Sequence, residues 1–523
     1  METGFDLLTL PRLLQNNSRL YPNKAAITDA ARGRSVTYKE LAERTTRLAN
    51  ALRARGIKKG DKVAFMCHDR LECAEIMYAV NQLGAVWVPQ NFRFNPPELA
   101  RQMAHCDAEF FFVDENCMEV CQAVLPVLTN LRSAGLFSIG CDTVPDGFTD
   151  FEALVAGGAT AEIVDDVDSS DLCGIIYTSG TTGEPKGVMH SYRSFFGWAM
   201  IPVLQNVITS EDVFMNSYPI FHMGGTVLSA VAALAGCQMV LLGSFTPERW
   251  VETISKYKVS VTCAVPTVVH AVTLLPQDVL SKYDLSSLKR LATSGAPFLT
   301  ETQNAAQRLL PSVKFYSYYS ASEIFQSMLL PEDHARKTRC VGKAAYGMEV
   351  RILDDEGNEQ PVGETGEIYA RGISAFVGYY KNPKADASAI RDGWVSCGDV
   401  GVLDDEGYLY VVDRKKDVIN SGGEKIFSCD VEERLLEMPG VNEVAVIGVR
   451  DNYWGERVHA VLSLVPGVSI TEDDVMKWCN ENIKGYKKPR SVEIRDALPK
   501  SPVGKLLKRE IRDEYWKGAD IKV

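Results

Sequence analysis

Basic charge is scarce in this chain. Its 523 residues hold 56 Lys and Arg against 68 Asp and Glu, a net charge of -12. That balance excludes a general nucleic-acid binder, which needs surplus cations to displace phosphate counterions. The 13 cysteines have no disulfide-framework spacing, and the close pair Cys117 and Cys121 lacks a companion pair for zinc. Reduced thiols and a cytoplasmic setting are expected. No export is expected, because Glu2 and Asp6 precede the short apolar stretch of residues 1–14. Residues 224–245 carry no charge over a length that could span a bilayer. However, the Ala-rich part, 229–235, breaks at Gly236, and 239–242 reads as a buried strand, so a core segment is expected and not a membrane span. Residues 520–523 form no KDEL- or SKL-type address. The chain also has no internal repeat and no low-complexity tract.

What is present is the composition of a folded protein, 46% hydrophobic and 24% charged, in a chain long enough for at least two domains. Thr37-Tyr-Lys-Glu40 is a capping box. Leu41, Leu48 and Leu52 then share one helical face up to Gly56, where the chain turns into a strand at 63–66. A helical segment at 72–83 and strands at 85–88, 109–113, 172–177 and 259–265 continue the alternation, which predicts an α/β architecture. Beyond residue 343 the texture is that of a β-rich lobe. Segments 350–354 and 401–403 run into the similar turns Asp354-Asp-Glu-Gly357 and Asp404-Asp-Glu-Gly407, which lack the ligand spacing of a calcium loop. The charged run Asp413-Arg-Lys-Lys-Asp417 leads to the glycine break Ser421-Gly-Gly423, and a domain boundary is expected there.

The densest chemistry lies in Tyr177-Thr-Ser-Gly-Thr-Thr-Gly-Glu-Pro-Lys-Gly-Val-Met-His190, directly after an apolar strand. Gly180, Gly183 and Gly187 let backbone N–H groups approach oxygens. Thr178, Ser179, Thr181 and Thr182 add hydroxyl donors, and Lys186 adds a mobile cation. These are the features of a phosphate cradle, although the composition alone fits a flexible surface loop equally well. Its spacing is not that of a Walker loop, and no Gly-x-Ser-x-Gly elbow supports a hydrolase triad.

This loop resembles the signature of the adenylate-forming superfamily of acyl-CoA synthetases, luciferases and peptide-synthetase adenylation domains. The resemblance extends in the family's order through Tyr218-Pro-Ile-Phe-His-Met-Gly-Gly225, Ser294-Gly-Ala-Pro297, Tyr319-Ser-Ala-Ser-Glu323, Gly393-Trp394 with Gly398-Asp399, Asp413-Arg414, Ser421-Gly-Gly-Glu424 and Pro502-Val-Gly-Lys505. It implies an N-terminal adenylation domain over 1–413, made of α/β lobes and a β-rich lobe. A hinge at 414–417 and a small mobile α/β domain over 418–523 would follow, with the active site between the two domains. Acyl-CoA synthetases are the nearest branch, so the implied reaction consumes a carboxylic acid, ATP and coenzyme A with Mg2+. A homodimer is left open.

The resemblance also assigns roles. Glu323 is similar to the carboxylate that helps hold Mg2+ between the ATP phosphates, with Thr178 beside it. Asp399 is similar to the acceptor for the ribose hydroxyls, and Arg414 to its basic companion. Gly295, Ala296 and Pro297 match the turn against which adenine lies, with Tyr319 near the base and Ser322 where the family usually has Thr. Lys505 matches the lysine that contacts the acyl carboxylate and the α-phosphate, stabilising charge as one anion attacks another. Lys416 stands at the hinge position. Ser421, Gly422 and Gly423 would lie along the thiol tunnel, and rotation at the hinge would exchange them with Lys505. His222 is similar to the histidine bordering the acyl tunnel beside Gly224, whereas His190 has no assigned role.

Two departures bear on the substrate. The stretch Pro219-Ile-Phe-His-Met223 has no Asp to pair with an α-ammonium, which disfavours an amino acid. Tyr318 and Ser320 replace the family's usual glycines. Larger side chains there would narrow the acyl pocket, so a short, medium-chain or aromatic acid is expected. Transfer to a carrier protein, oxidative use of the adenylate, or an inactive nucleotide sensor are the competing readings.

Overall fold

The structure is a computed structural model, and it describes residues 8–163, 167–178, 186–296, 298, 300–483, 485–500 and 506–517. The chain forms two compact units. One comprises Met1–Glu349 with Ala370–Val395, and the other Val350–Tyr369 with Ser396–Val523.

The first unit contains two large sheets. In one, the parallel strands Ala25–Asp29, Gln238–Leu241, Val213–Asn216, Val261–Ala264, Arg290–Thr293 and Lys314–Ala321 lie side by side. Antiparallel strands close both edges, Arg34–Thr37 on one side and Ile324–Leu329 then Lys343–Ala344 on the other. The second sheet has a parallel run of Leu172–Thr178, Val86–Pro89, Lys62–Met66, Phe110–Asp114, Leu136–Ile139 and Thr149–Asp150. Lys186–Ser191 and Gly378–Tyr379 extend it antiparallel beyond Leu172–Thr178. Strands buried on both faces read as continuous apolar runs, and Phe110, Phe111, Phe112 and Val113 are all fully buried.

The predicted elements form where the pattern put them. Thr37 caps helix Tyr38–Ala54 through a capping box, with Glu40 accepting from the Thr37 N–H at 2.7 Å, and Leu41, Leu48 and Leu52 are buried. The uncharged segment divides as expected. Helix Met223–Ala235 ends at Gly236 in the left-handed region (φ 66°), and Gln238–Leu241 is a sheet strand. Among the described residues no helix is long and apolar enough to cross a membrane. All thirteen cysteines are free.

In the second unit, Glu424–Ile426, Ile419–Ser421, Gly455–Leu464 and Val441–Asp451 form an antiparallel run, with Ser491–Ile494 parallel to Gly455–Leu464. Ile419, Val446 and Leu462 pack against Val431 and Leu435 of helix Ser428–Leu436 and Val475 of helix Glu472–Asn482. The turn at Asp404 joins Trp394–Leu403 to Leu409–Arg414 as a hairpin, closed by the Asp404 N–H on the Tyr408 carbonyl at 3.0 Å. Asp413 lies in the second unit, where its carboxylate accepts both the Ser428 N–H (2.5 Å) and the Ser428 hydroxyl (2.7 Å).

Candidate active site

The cradle's frame is a strand pair. Thr178 and Lys186 are register partners at the facing ends of Leu172–Thr178 and Lys186–Ser191. The residues between them, including Ser179, Gly180, Thr181, Thr182 and Gly183, lie outside the described residues, as do Pro297 and Lys505. The root of the frame is braced: His105 Nδ1 and the Tyr177 hydroxyl are 2.7 Å apart. A Cβ at Gly187 would come within 2.9 Å of Ile175 Cγ2 and 3.1 Å of the Tyr177 ring. Glycine there lets the strands close. Lys186 Nζ sits 4.8 Å from the centre of the Tyr379 ring.

Glu323 stands in the turn between the antiparallel strands Lys314–Ala321 and Ile324–Leu329. One carboxylate oxygen, Oε1, accepts the Tyr379 hydroxyl at 2.7 Å, while its backbone carbonyl accepts the Phe376 N–H at 2.8 Å. Among the described residues Oε2 has no protein partner, which fits a Mg2+ ligand. Such an ion uses one or two carboxylates and completes its shell with water and phosphate. Beside it, Ser322 is buried and its carbonyl accepts His190 Nε2–H at 2.8 Å. Because a carbonyl only accepts, the His190 proton is on Nε2, and Nδ1 takes the Ser194 hydroxyl at 3.1 Å. His190 is fully buried, and burial depresses its pKa to about 4. It is a neutral strut, a role its position in the sequence did not reveal.

Tyr319 and Ser320 follow on the same strand, half-buried, with a bulge between them. Tyr318 is buried against Phe325, with ring centres 5.2 Å apart, and accepts a hydrogen bond from the Asn206 amide.

His222 caps helix Met223–Ala235. Its Nδ1 accepts the Gly224 N–H at 3.2 Å, and its carbonyl accepts the Thr226 N–H at 2.9 Å. Asp69 holds the preceding loop by accepting the Ile220 N–H at 2.7 Å. The Tyr218 hydroxyl lies 3.0 Å from Ser294 Oγ, which brings this loop to Gly295 (φ 88°) and the exposed Ala296. A Cβ on the half-buried Gly224 would meet the Tyr218 ring at 3.3 Å. Sequence reasoning missed Asp69 and Tyr379, since each acts on a partner far along the chain.

In the second unit, Asp399 and Arg414 are register partners, with Arg414 Nε 3.0 Å from Asp399 Oδ1. Asp399 is buried and Arg414 half-exposed. Lys415 pairs with Asp355 and Glu367, each at 2.9 Å. Lys416 is exposed, and its carbonyl accepts from Arg512 at 2.6 Å. Gly422 and Gly423 form the two-residue turn of the hairpin between Ile419–Ser421 and Glu424–Ile426. Their φ values, 60° and 89°, are both positive, as a type I′ turn demands. The Gly422 N–H donates to the Trp454 carbonyl at 2.8 Å, and a Cβ there would lie 2.5 Å from the indole.

A separate cluster in the first unit, His68, Asp114 and Cys117, has ligand-type atoms within 4.8 Å of one another. Its carboxylate is already occupied by the backbone N–H groups of His68, Asn116 and Cys117 and by the His68 ring. That pattern is a structural hub that starts helix Met118–Val124.

Comparison with known proteins decides the family. Residues 14–380 match AMP-binding enzyme, and residues 430–505 match the AMP-binding enzyme C-terminal domain. The chain belongs to the AMP-binding enzyme family. Within it, a feruloyl-CoA synthase from Amycolatopsis sp. is 34% identical over 95% of this chain and 97% of its own length. An indoleacetate–CoA ligase from Aromatoleum aromaticum is 32% identical over 97% and 98%. Among solved AMP-binding structures, ATP-bound MatB from Rhodopseudomonas palustris superposes with a TM-score of 0.85 at 28% identity, covering 96% of this chain and 99% of that one. The mixed α/β fold, with a large N-terminal and a smaller C-terminal part, is that of the adenylate-forming enzymes. ATP, Mg2+ and coenzyme A are the reagents of this ligase family.

Proposed function

We propose that this AMP-binding enzyme is an acid–thiol ligase that converts a short, medium-chain or aromatic carboxylic acid to its coenzyme A thioester in the cytoplasm. The carrying observation is the Thr178–Lys186 frame with Glu323 tied to it through Tyr379. It presents a lysine and a carboxylate beside the two ends, Thr178 and Lys186, of a Gly/Ser/Thr-rich sequence, the groups a Mg2+-bound triphosphate requires.

In the first half-reaction the acid's carboxylate oxygen attacks the α-phosphorus of ATP, forming the acyl–O–P bond and expelling diphosphate. Lys186 neutralises the phosphates. Mg2+, held by Glu323 with Thr178, would spread the charge developing on the departing diphosphate. Lys505 would bridge the acyl carboxylate and the α-phosphate, with Asp399 and Arg414 holding the ribose and Gly295, Ala296, Pro297 and Tyr319 the base. In the second, the thiol sulfur of coenzyme A attacks the acyl carbon, AMP leaves with the bonding pair, and the thiol proton goes to solvent. Ser421, Gly422 and Gly423 would line the thiol's approach, with Lys416 as the pivot between the two steps.

Support for an aromatic or shorter acid comes from Tyr318, a buried ring packed against Phe325 where the resembled family usually has glycine. The aromatic acids in the names of two relatives at 32–34% identity point the same way. The test is Mg2+- and ATP-dependent AMP release over straight, branched and aromatic acids, with and without coenzyme A, beside Lys505→Ala. Thiol-dependent turnover on one acid class is the expected result. Adenylate without thiol transfer would favour a carrier acceptor, and a palmitate rate well above hexanoate and benzoate would overturn the substrate reading.

A further inference from the structure

Tyr379 belongs to no motif read from the sequence, yet it touches both groups on which nucleotide binding is proposed to depend. Its hydroxyl donates to Glu323 Oε1 at 2.7 Å, and its ring face lies 4.8 Å from Lys186 Nζ. The ring cannot drift. Tyr379 is buried on the short strand Gly378–Tyr379, in register with Val188 of the cradle strand. Its N–H donates to Asp386 Oδ1 at 2.7 Å, and Phe376 packs edge-on against it with ring centres 4.9 Å apart. The same Phe376 fixes the Glu323 backbone through its N–H.

Lys186 and Glu323 are opposite charges converging on one region, and the simplest fate of such groups is to pair. Among the described residues they do not; each is engaged by a different part of Tyr379. An ammonium on a ring face keeps its full charge for an incoming anion, because the ring quadrupole attracts it without neutralising it. A phenol donating to one carboxylate oxygen orients the group and leaves its second oxygen for a metal.

We infer that Tyr379 is a positioning residue that holds Lys186 and Glu323 apart, keeping the lysine for the triphosphate and the glutamate's second oxygen for Mg2+. The inference rests on the reading of Lys186 and Glu323 given above.

The experiment is acid-dependent ATP–diphosphate exchange on the full-length enzyme, with Mg2+ titrated at fixed ATP, for Tyr379→Phe, Tyr379→Leu, Glu323→Gln and Lys186→Ala. Tyr379→Phe keeps the ring and loses only the hydroxyl. It should raise the Mg2+ concentration for half-maximal exchange about tenfold, the effect of one hydrogen bond to a charged group, and leave KM for the acid unchanged. Tyr379→Leu removes both contacts and should also raise KM for MgATP. In that background Glu323→Gln should raise KM for MgATP by a smaller factor than it does in the wild-type enzyme, because it also releases Lys186 from the new ion pair. A fall in kcat with unchanged Mg2+ dependence and a lower melting temperature would reduce Tyr379 to a structural residue and overturn the inference. Should Tyr379→Leu fail to fold, Tyr379→Phe decides alone through the Mg2+ titration. If Glu323→Gln and Lys186→Ala move neither the Mg2+ nor the MgATP dependence, the ligand reading itself fails. If they move and the Tyr379 variants do not, only this inference falls.

Discussion

His190 shows how a residue inside the signature stretch acts through a partner 132 positions away. Its folded pKa of about 4 lies below its ordinary 6.5, because burial penalises the imidazolium. The unfolded chain therefore binds a proton between those values that the fold refuses. This contribution to stability is complete above pH 6.5 and is lost as pH falls toward 4, at about 1.4 kcal/mol per unit and about 3 kcal/mol in all. Urea denaturation at pH 7.5, 5.5 and 4.5 should show that slope, and His190→Gln should flatten it while lowering stability at pH 7.5. At the same scale, Glu323→Gln and Lys186→Ala should each lower adenylation by about 10²–10³-fold, the usual cost of removing one electrostatic contact from a reacting centre. Single-turnover adenylate formation measures both.

Elements carry their own predictions. Lys508 is half-buried in the second unit, its side chain 14% exposed, where it pairs with Glu432 and donates to the Ser428 hydroxyl at 2.8 Å. Ser428 in turn holds Asp413. Lys508→Met strands the Glu432 carboxylate, whose pKa burial already pushes to about 7. The expected loss is about 3–5 kcal/mol of stability, read by chemical denaturation. The Gly422-Gly423 turn offers a sharper test. Gly422→Ala puts a Cβ into the Trp454 indole at a positive φ, so it should cost about 1 kcal/mol. It should slow thioester formation more than adenylate formation, because only the thiol passes this turn in the proposed mechanism. The two glycines were legible as a break in the sequence. That both adopt a hairpin conformation against Trp454 was not, since the indole comes from another hairpin.

At the scale of the whole molecule the prediction concerns the hinge. The charged run at 413–417, where the hinge is proposed, is spanned within the second unit by contacts of Asp413 with Ser428 and of Arg512 with Asp417 at 3.1 Å. Rotation at Lys416, as proposed, must part the Asp413–Ser428 contact. Lys416→Pro fixes φ at the pivot. It should leave ATP–diphosphate exchange within about twofold while slowing thioester release at least about tenfold, as expected when a conformational step gates the second reaction.

The sequence by itself determined the α/β alternation, the cradle's place after an apolar strand, the split of the uncharged segment at Gly236 and the family resemblance that the comparisons bore out. These follow from periodicity, capping and turn chemistry, all of which act between near neighbours in the chain. Only the tertiary structure decided that His190 is a neutral strut, that Asp69 anchors the His222 loop, that Tyr379 joins Lys186 to Glu323, and that Asp413 is tied into the second unit. Each of those depends on hydrogen-bond geometry between residues of distant elements. Local pattern carries no record of such contacts, because strand order and packing set them.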